Sequence, residues 1–155
     1  MINLELQFHP FLLQSTEILL ERIRSDLLDQ KESGGIPPAD DPEMADYWSS
    51  ELREALRADM KVLSALVRQF RNAGTDIRIS EENAWAAIRA SVSFRLRIRT
   101  IFLNRLSDDV LETGDLGFAE LEQEEKRPYA SYLFLGAVQE HLISLLDPES
   151  SELQE

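Results

Sequence analysis

The 155-residue chain contains no cysteine, only two histidines, and only six glycines and six prolines. Without cysteine there is no disulfide and no thiolate chemistry, and a reducing compartment fits. Zinc loses its commonest structural ligand. The histidines, His9 and His141, form neither a Glu-x-x-His nor a His-Glu-x-x-His pattern, so the signatures of di-iron bundles and zinc proteases are both missing. No metal and no cofactor is expected, and His141 reads as a surface or half-buried residue. The N-terminus lacks a basic region followed by an apolar run, so no signal peptide is expected. Every long apolar stretch carries charges, so no membrane-spanning segment and no membrane partner is expected, and the expected location is cytoplasmic.

The formal net charge is -13, which opposes non-specific contact with phosphate. Charge is unevenly spread. Residues 84–106 carry five arginines and no acid, and residues 107–127 carry eight acids against Lys126 and Arg127. The basic segment offers no clean basic face and no interleaved surface aromatics, so nucleic acid is not an expected partner.

Met1 to His9 alternates Ile2, Leu4, Leu6 and Phe8 with polar residues, the period of a short half-buried strand. Pro10 suits a first helical position, and Leu12, Leu19, Leu20, Ile23 and Leu27 form a helical stripe to about Gln30. "KESGGIPPADDP", residues 31–42, reads as a loop. A long helix over 43–73 follows, with Met44, Trp48, Leu52, Leu56, Met60, Leu63, Val67 and Phe70 on one stripe and Gly74 closing it. "TDIRI", residues 75–79, is a second short strand that could pair with the first. Ser80 caps a third helix that runs without a break to Leu106. Residues 107–127 read as an acidic loop with a solvated helical turn or two. Pro128 opens a last helix that Asp147-Pro148 stops. The expected architecture is mainly α: a four-helix bundle-like single domain over 1–147 with one or two short strands, and an acidic tail at 148–155 expected to be disordered.

The third helix contains "SFRLRIRTIFLNR", residues 93–105, with four arginines. Read as a strand it alternates, but no turn residue bounds it, and its length favours a helix. At about 100° per residue, Trp85, Ile88, Val92, Leu96, Leu103 and Leu106 share one face, and Phe94, Ile98, Ile101 and Phe102 cover much of the opposite side. A helix apolar nearly all round is expected to be central. Arg99 falls within the first face and Arg95 on its edge, whereas Arg97 and Arg89 point to polar sectors, Arg97 into solvent. A buried guanidinium needs partners. Arg95 and Arg99 are therefore candidates for a polar network with Gln139 and Glu140 on the last helix, or with Glu17 or Glu21 on the first. The alternative is that both snorkel to the surface.

"ISEENAWAAIRASVSFRLRIRT" resembles the central segment of an uncharacterised bacterial family, domain of unknown function 2017. Ser80, Arg89, Ala90, Arg95, Leu96 and Thr100 match its pattern. "YLFLGAVQEHL" resembles the family's last helix through Tyr132, Leu135, Gly136, Gln139, Glu140 and Leu142. The chain departs at Val92 and Ser93, where the family pattern has an Asn-Asp pair, and at Ile101, where it has a second arginine. The resemblance implies no established activity. Family members are often encoded near the adaptor of the Clp protease, which favours an adaptor role.

No residue pattern marks an active site. "TGDLGF" has two glycines but no lysine and lies among acids, so it reads as a turn. Ser91 and Ser93 lie inside a helix with neither base nor oxyanion site in view. The expected function is a non-enzymatic protein-interaction domain, an adaptor or regulator with a protein partner, or a homodimer through the long second helix. Exposed apolar surface would mark that role. The alternative is an enzyme or small-ligand domain with a polar pocket around Arg95, Gln139 and Glu140.

Overall fold

The computed structural model describes residues 2–4, 6–28, 42–73, 77–113 and 120–147, without the side chains of 27–28, 42–49, 73 and 112–113. The expected loop 31–42 apart from Pro42, which opens a helix, the closing Gly74, the "TGDLGF" turn apart from Thr113, and the tail 148–155 all lie outside these residues. The elements in chain order are β1 (Ile2–Leu4), α1 (Pro10–Leu28), α2 (Pro42–Ala73), β2 (Ile77–Ile79), α3 (Glu81–Phe102), α4 (Asp108–Thr113) and α5 (Gln123–Leu146). The chain is mainly α-helical with a short two-stranded antiparallel sheet.

Period-two alternation becomes β1, which pairs with β2 in the register Ile2↔Ile79, Asn3↔Arg78 and Leu4↔Ile77. Leu4, Ile77 and Ile79 point into the core, so the two-stranded sheet closes one end of it. Beyond β1, Phe8 meets the rings of Phe70 on α2 and Phe134 on α5 edge-on, with centroids 5.3 and 4.6 Å away. Edge-to-face contact suits the ring quadrupoles. His9 begins α1: its Nδ1 accepts the Phe11 N–H at 3.1 Å, and its carbonyl accepts the Leu13 N–H.

The stripe of α2 buries Met60, Leu63, Leu66, Val67 and Phe70, while Leu52 near its start is 44% exposed. Ser80 caps α3 by accepting the Asn83 N–H at 3.2 Å. α3 packs against α5 on one flank and α2 on the other, and α1 packs against α2 and α5. The α1–α5 seam contains a buried hydrogen bond between the hydroxyls of Thr16 and Ser131, 2.9 Å apart.

Three boundaries and faces differ from the sequence expectation. α3 ends at Phe102, and the Leu103 N–H closes it onto the Arg99 carbonyl. α5 begins at Gln123, so Pro128 sits inside the helix. Proline there lacks one N–H near the helix start, and the helix is anchored upstream instead. Glu125 accepts the Glu122 N–H at 2.9 Å, the return bond of a capping box.

The third difference concerns α3. Its buried residues are Ala84, Ala86, Ala87, Ile88, Ala90, Ser91, Phe94 and Ile98. Trp85, Val92 and Leu96, expected inside, stand 41%, 48% and 62% exposed. Small residues let α2 and α5 approach the α3 backbone closely, and the larger side chains are left on the open side.

Candidate functional site

Arg95 leaves α3 towards α5. Its Nε donates to the Tyr132 carbonyl at 3.3 Å and its Nη1 donates to Gln139 Oε1 at 3.4 Å. The guanidinium carbon lies 4.3 Å from the centre of the Tyr132 ring, within cation–π range. The remaining face of the guanidinium covers Gly136. A Cβ built there would meet Arg95 Nη2 at 3.0 Å. Tyr132, Gly136 and Gln139 lie three or four residues apart, so one face of α5 forms the cradle. All three belong to the segment "YLFLGAVQEHL".

Glu140 stands outside this arrangement. It is exposed and forms no ion pair among the described residues. Arg99 reaches the other way, to Asp108 at the start of α4. Glu17 pairs with Arg71 and Arg68 on α2. The four candidates Arg95, Arg99, Gln139 and Glu140 are thus distributed: Arg95 meets Gln139, Arg99 meets α4, and Glu140 faces solvent.

Arg97 differs from expectation. Its side chain is 23% exposed and pairs with Asp26 on α1. Arg89, placed in a polar sector, holds Asp59 of α2 through Nε at 3.0 Å and Nη2 at 2.9 Å. That two-pronged bond raises the Arg89 pKa above its ordinary value, against the effect of burial. Arg105 likewise grips Glu125 with two bonds, at 3.1 and 2.6 Å. As Arg95 gives way to Arg105, the partner moves back from Gln139 to Glu125, so α5 runs antiparallel to α3. Among the described residues, Arg89, Arg97, Arg99 and Arg105 each face a carboxylate, and Arg95 faces a carbonyl, an amide and a ring.

Sequence reasoning missed Asp59 and Glu125 as arginine partners because each comes from another helix, and missed Asp108 because α3 ends at Phe102 and the chain turns back towards Arg99. Tyr132 and Gly136 carried a usable signal. Both match the family pattern at helical spacing with Gln139.

The open side of α3 forms the second feature. Trp85, Val92 and Leu96 are seven and four residues apart and project in nearly one direction. Arg89 and Arg95 flank them. Ser91 is fully buried, and its hydroxyl has no hydrogen-bond partner among the described residues, so it is out of reach of a substrate. His141 is half-buried. The clefts beside Val62 and Ser80, beside Ile18 and Phe102, and beside Leu20 and Arg68 lie away from Arg95, Gln139 and Glu140. Among the described residues no group of three His, Cys, Asp or Glu side chains is placed to hold a metal ion, and no helix is long and apolar enough to cross a membrane.

The model of the family described as a domain of unknown function, DUF2017, matches residues 25–146, which includes α2, the Arg95 cradle and the open face of α3. No curated protein and no solved structure matches the chain.

Proposed function

The chain belongs to the domain of unknown function 2017 family, and on that premise we propose that it is a non-enzymatic protein-interaction domain. The observation that carries this reading is the open face of α3. Three large apolar side chains on one helical face, 41–62% exposed, are placed where a partner could cover them. The arginines beside them are held in place: Arg89 by Asp59, Arg95 by Tyr132 and Gln139. A fixed guanidinium at the rim of an apolar patch adds specificity at little cost in conformational freedom.

Within this reading the domain is an adaptor or regulator in the bacterial cytoplasm. Because members of the family are often encoded near the adaptor of the Clp protease, that machinery is the first partner to test. A homodimer through α2 is a second form of the same reading, and the exposed Leu52 is where it would begin.

The test is affinity purification from the native cell with the full chain and with Trp85→Asp/Leu96→Asp. A partner retained by the wild type and lost by the variant supports the reading. Identical recoveries, or no protein recovered with either, would overturn it. Light scattering on the full chain settles the homodimer.

A further inference from the structure

A second surface shares none of Trp85, Val92 or Leu96. Between α1, the end of α3 and the start of α5 runs a groove of about 480 Å³. Ile18, Leu19, Phe102 and Pro128 give it apolar walls, and Arg22 and Arg127 stand along it. Ile18 is 56% exposed. Phe11, seven residues earlier on α1 and also 56% exposed, continues the apolar surface, with the Arg127 guanidinium 5.3 Å from its ring.

Arg57, Arg68, Arg71, Arg89, Arg97, Arg99 and Arg105 each face a carboxylate within the fold. Among the described residues neither groove arginine has a carboxylate partner, as is also true of Arg24, Arg53 and Arg78 elsewhere on the fold. In a chain of net charge -13, the charge of Arg22 and Arg127 is thus not neutralised by an ion pair among these residues. A guanidinium beside an apolar wall attracts a carboxylate more strongly than one in open water, and its planar fork fits one.

We propose that this groove binds a short peptide segment of a partner protein, in which one carboxylate residue sits beside a large apolar residue. The apolar side chain enters between Ile18, Leu19 and Phe102, and the carboxylate meets Arg22 and Arg127. A peptide fits better than a compact small molecule because the apolar surface extends along two turns of α1 to Phe11, about 10 Å at 1.5 Å per residue. Glu124, also on the wall, opposes a run of acids and favours a single one. The proposal does not depend on the α3 face. With that face, it gives the domain two separate surfaces, which is what joining two proteins requires.

The test selects random displayed peptides on the immobilised full chain. Enriched sequences are then measured as labelled synthetic peptides by fluorescence anisotropy. The expected peptides place Asp or Glu next to Leu, Phe or Trp. Arg22→Glu/Arg127→Glu weakens them by about tenfold or more, as losing close charge pairs does, and Leu96→Asp leaves them unchanged. Both arginines are exposed, and circular dichroism checks that the variant is folded. Arg22→Gln/Arg127→Gln replaces it if not. Enriched peptides without an acid, binding indifferent to the arginine changes, binding lost only with Leu96→Asp, or no enrichment at all would each overturn the proposal.

Discussion

Arg95 lies across Gly136 so closely that a Cβ at position 136 would stand 3.0 Å from Nη2 and 3.1 Å from the guanidinium carbon. Glycine within a helix is a local disadvantage, and here a side chain from the neighbouring helix fills the space it leaves. Gly136→Ala would favour α5 by about 0.8–1 kcal/mol through helix propensity. It would also push the guanidinium off the Tyr132 carbonyl, its ring and Gln139, a loss of about 1 kcal/mol. The expected result is near-cancellation in the wild type. In an Arg95→Ala background the same change should stabilise by about 1 kcal/mol. Urea unfolding of the four proteins in the cycle measures the coupling, and strict additivity would refute the contact.

Phe94 and Leu96 are two residues apart and of similar hydrophobicity, yet they should respond oppositely. Phe94 is 1% exposed and Leu96 62%. Phe94→Ala leaves a core cavity and should cost about 3–5 kcal/mol. Leu96→Asp should change stability by about 0.5 kcal/mol or less, as surface substitutions do. A large loss for Leu96→Asp in the isolated protein would mean that the open face of α3 is covered.

This contrast explains what the sequence could and could not reveal. The long stripe of Met60, Leu63, Val67 and Phe70, the Ser80 cap and the alternation around Leu4 are local patterns, and they specify α2, α3 and β1 without reference to the rest of the chain. The buried side of α3 depends on alanines. A wheel weighted by hydrophobicity ranks Ala84, Ala87 and Ala90 below Trp85, Val92 and Leu96, although close helix packing requires the small residues inside. The start of α5 was obscured for another reason. Pro128 resembles a first-turn proline, and the real anchor, Glu125, depends on Arg105 from the turn after α3. The Arg95 cradle was half legible: Gln139 and Tyr132 follow from helical spacing, and the exposure of Glu140 follows only from how α5 is rotated against α3.

The pair Arg89–Asp59 ties α3 to α2. The Asp59 side chain is 13% exposed, and that of Arg89 is 59% exposed. Arg89→Met keeps the apolar stem and leaves a mostly buried carboxylate without its counter-charge. Because water reaches the arginine, the loss should be about 1–2 kcal/mol, less than for a fully buried pair. Arg89→Lys keeps the charge without the fork and should fall between. Adding Asp59→Leu to Arg89→Met should recover part of the loss, since the desolvated carboxylate is then gone. Denaturant midpoints decide this, and a double variant weaker than Arg89→Met would place the cost elsewhere.

The pair Arg105–Glu125 should be visible in the pH dependence of stability. The Glu125 side chain is 6% exposed and accepts two bonds from Arg105 and one from the Glu122 N–H. The Arg105 guanidinium, and after it the Glu122 N–H, hold the Glu125 carboxyl below its ordinary value, against the opposing effect of burial. A carboxyl whose folded-state pKa is depressed contributes stability that is complete above its unfolded pKa, about 4.3. That contribution is lost as pH falls through the lower folded value. Glu125→Gln keeps the shape and removes the charge, so it should lower Tm at neutral pH. The gap between the two proteins should begin to narrow as pH falls below the unfolded value of about 4.3 and close only below the lower folded value, where the wild-type carboxyl is itself protonated. Thermal melts from neutral to acid pH measure the gap between the two proteins. A gap that stays constant across the range would mean that the Arg105 bond does not act through the charge on Glu125.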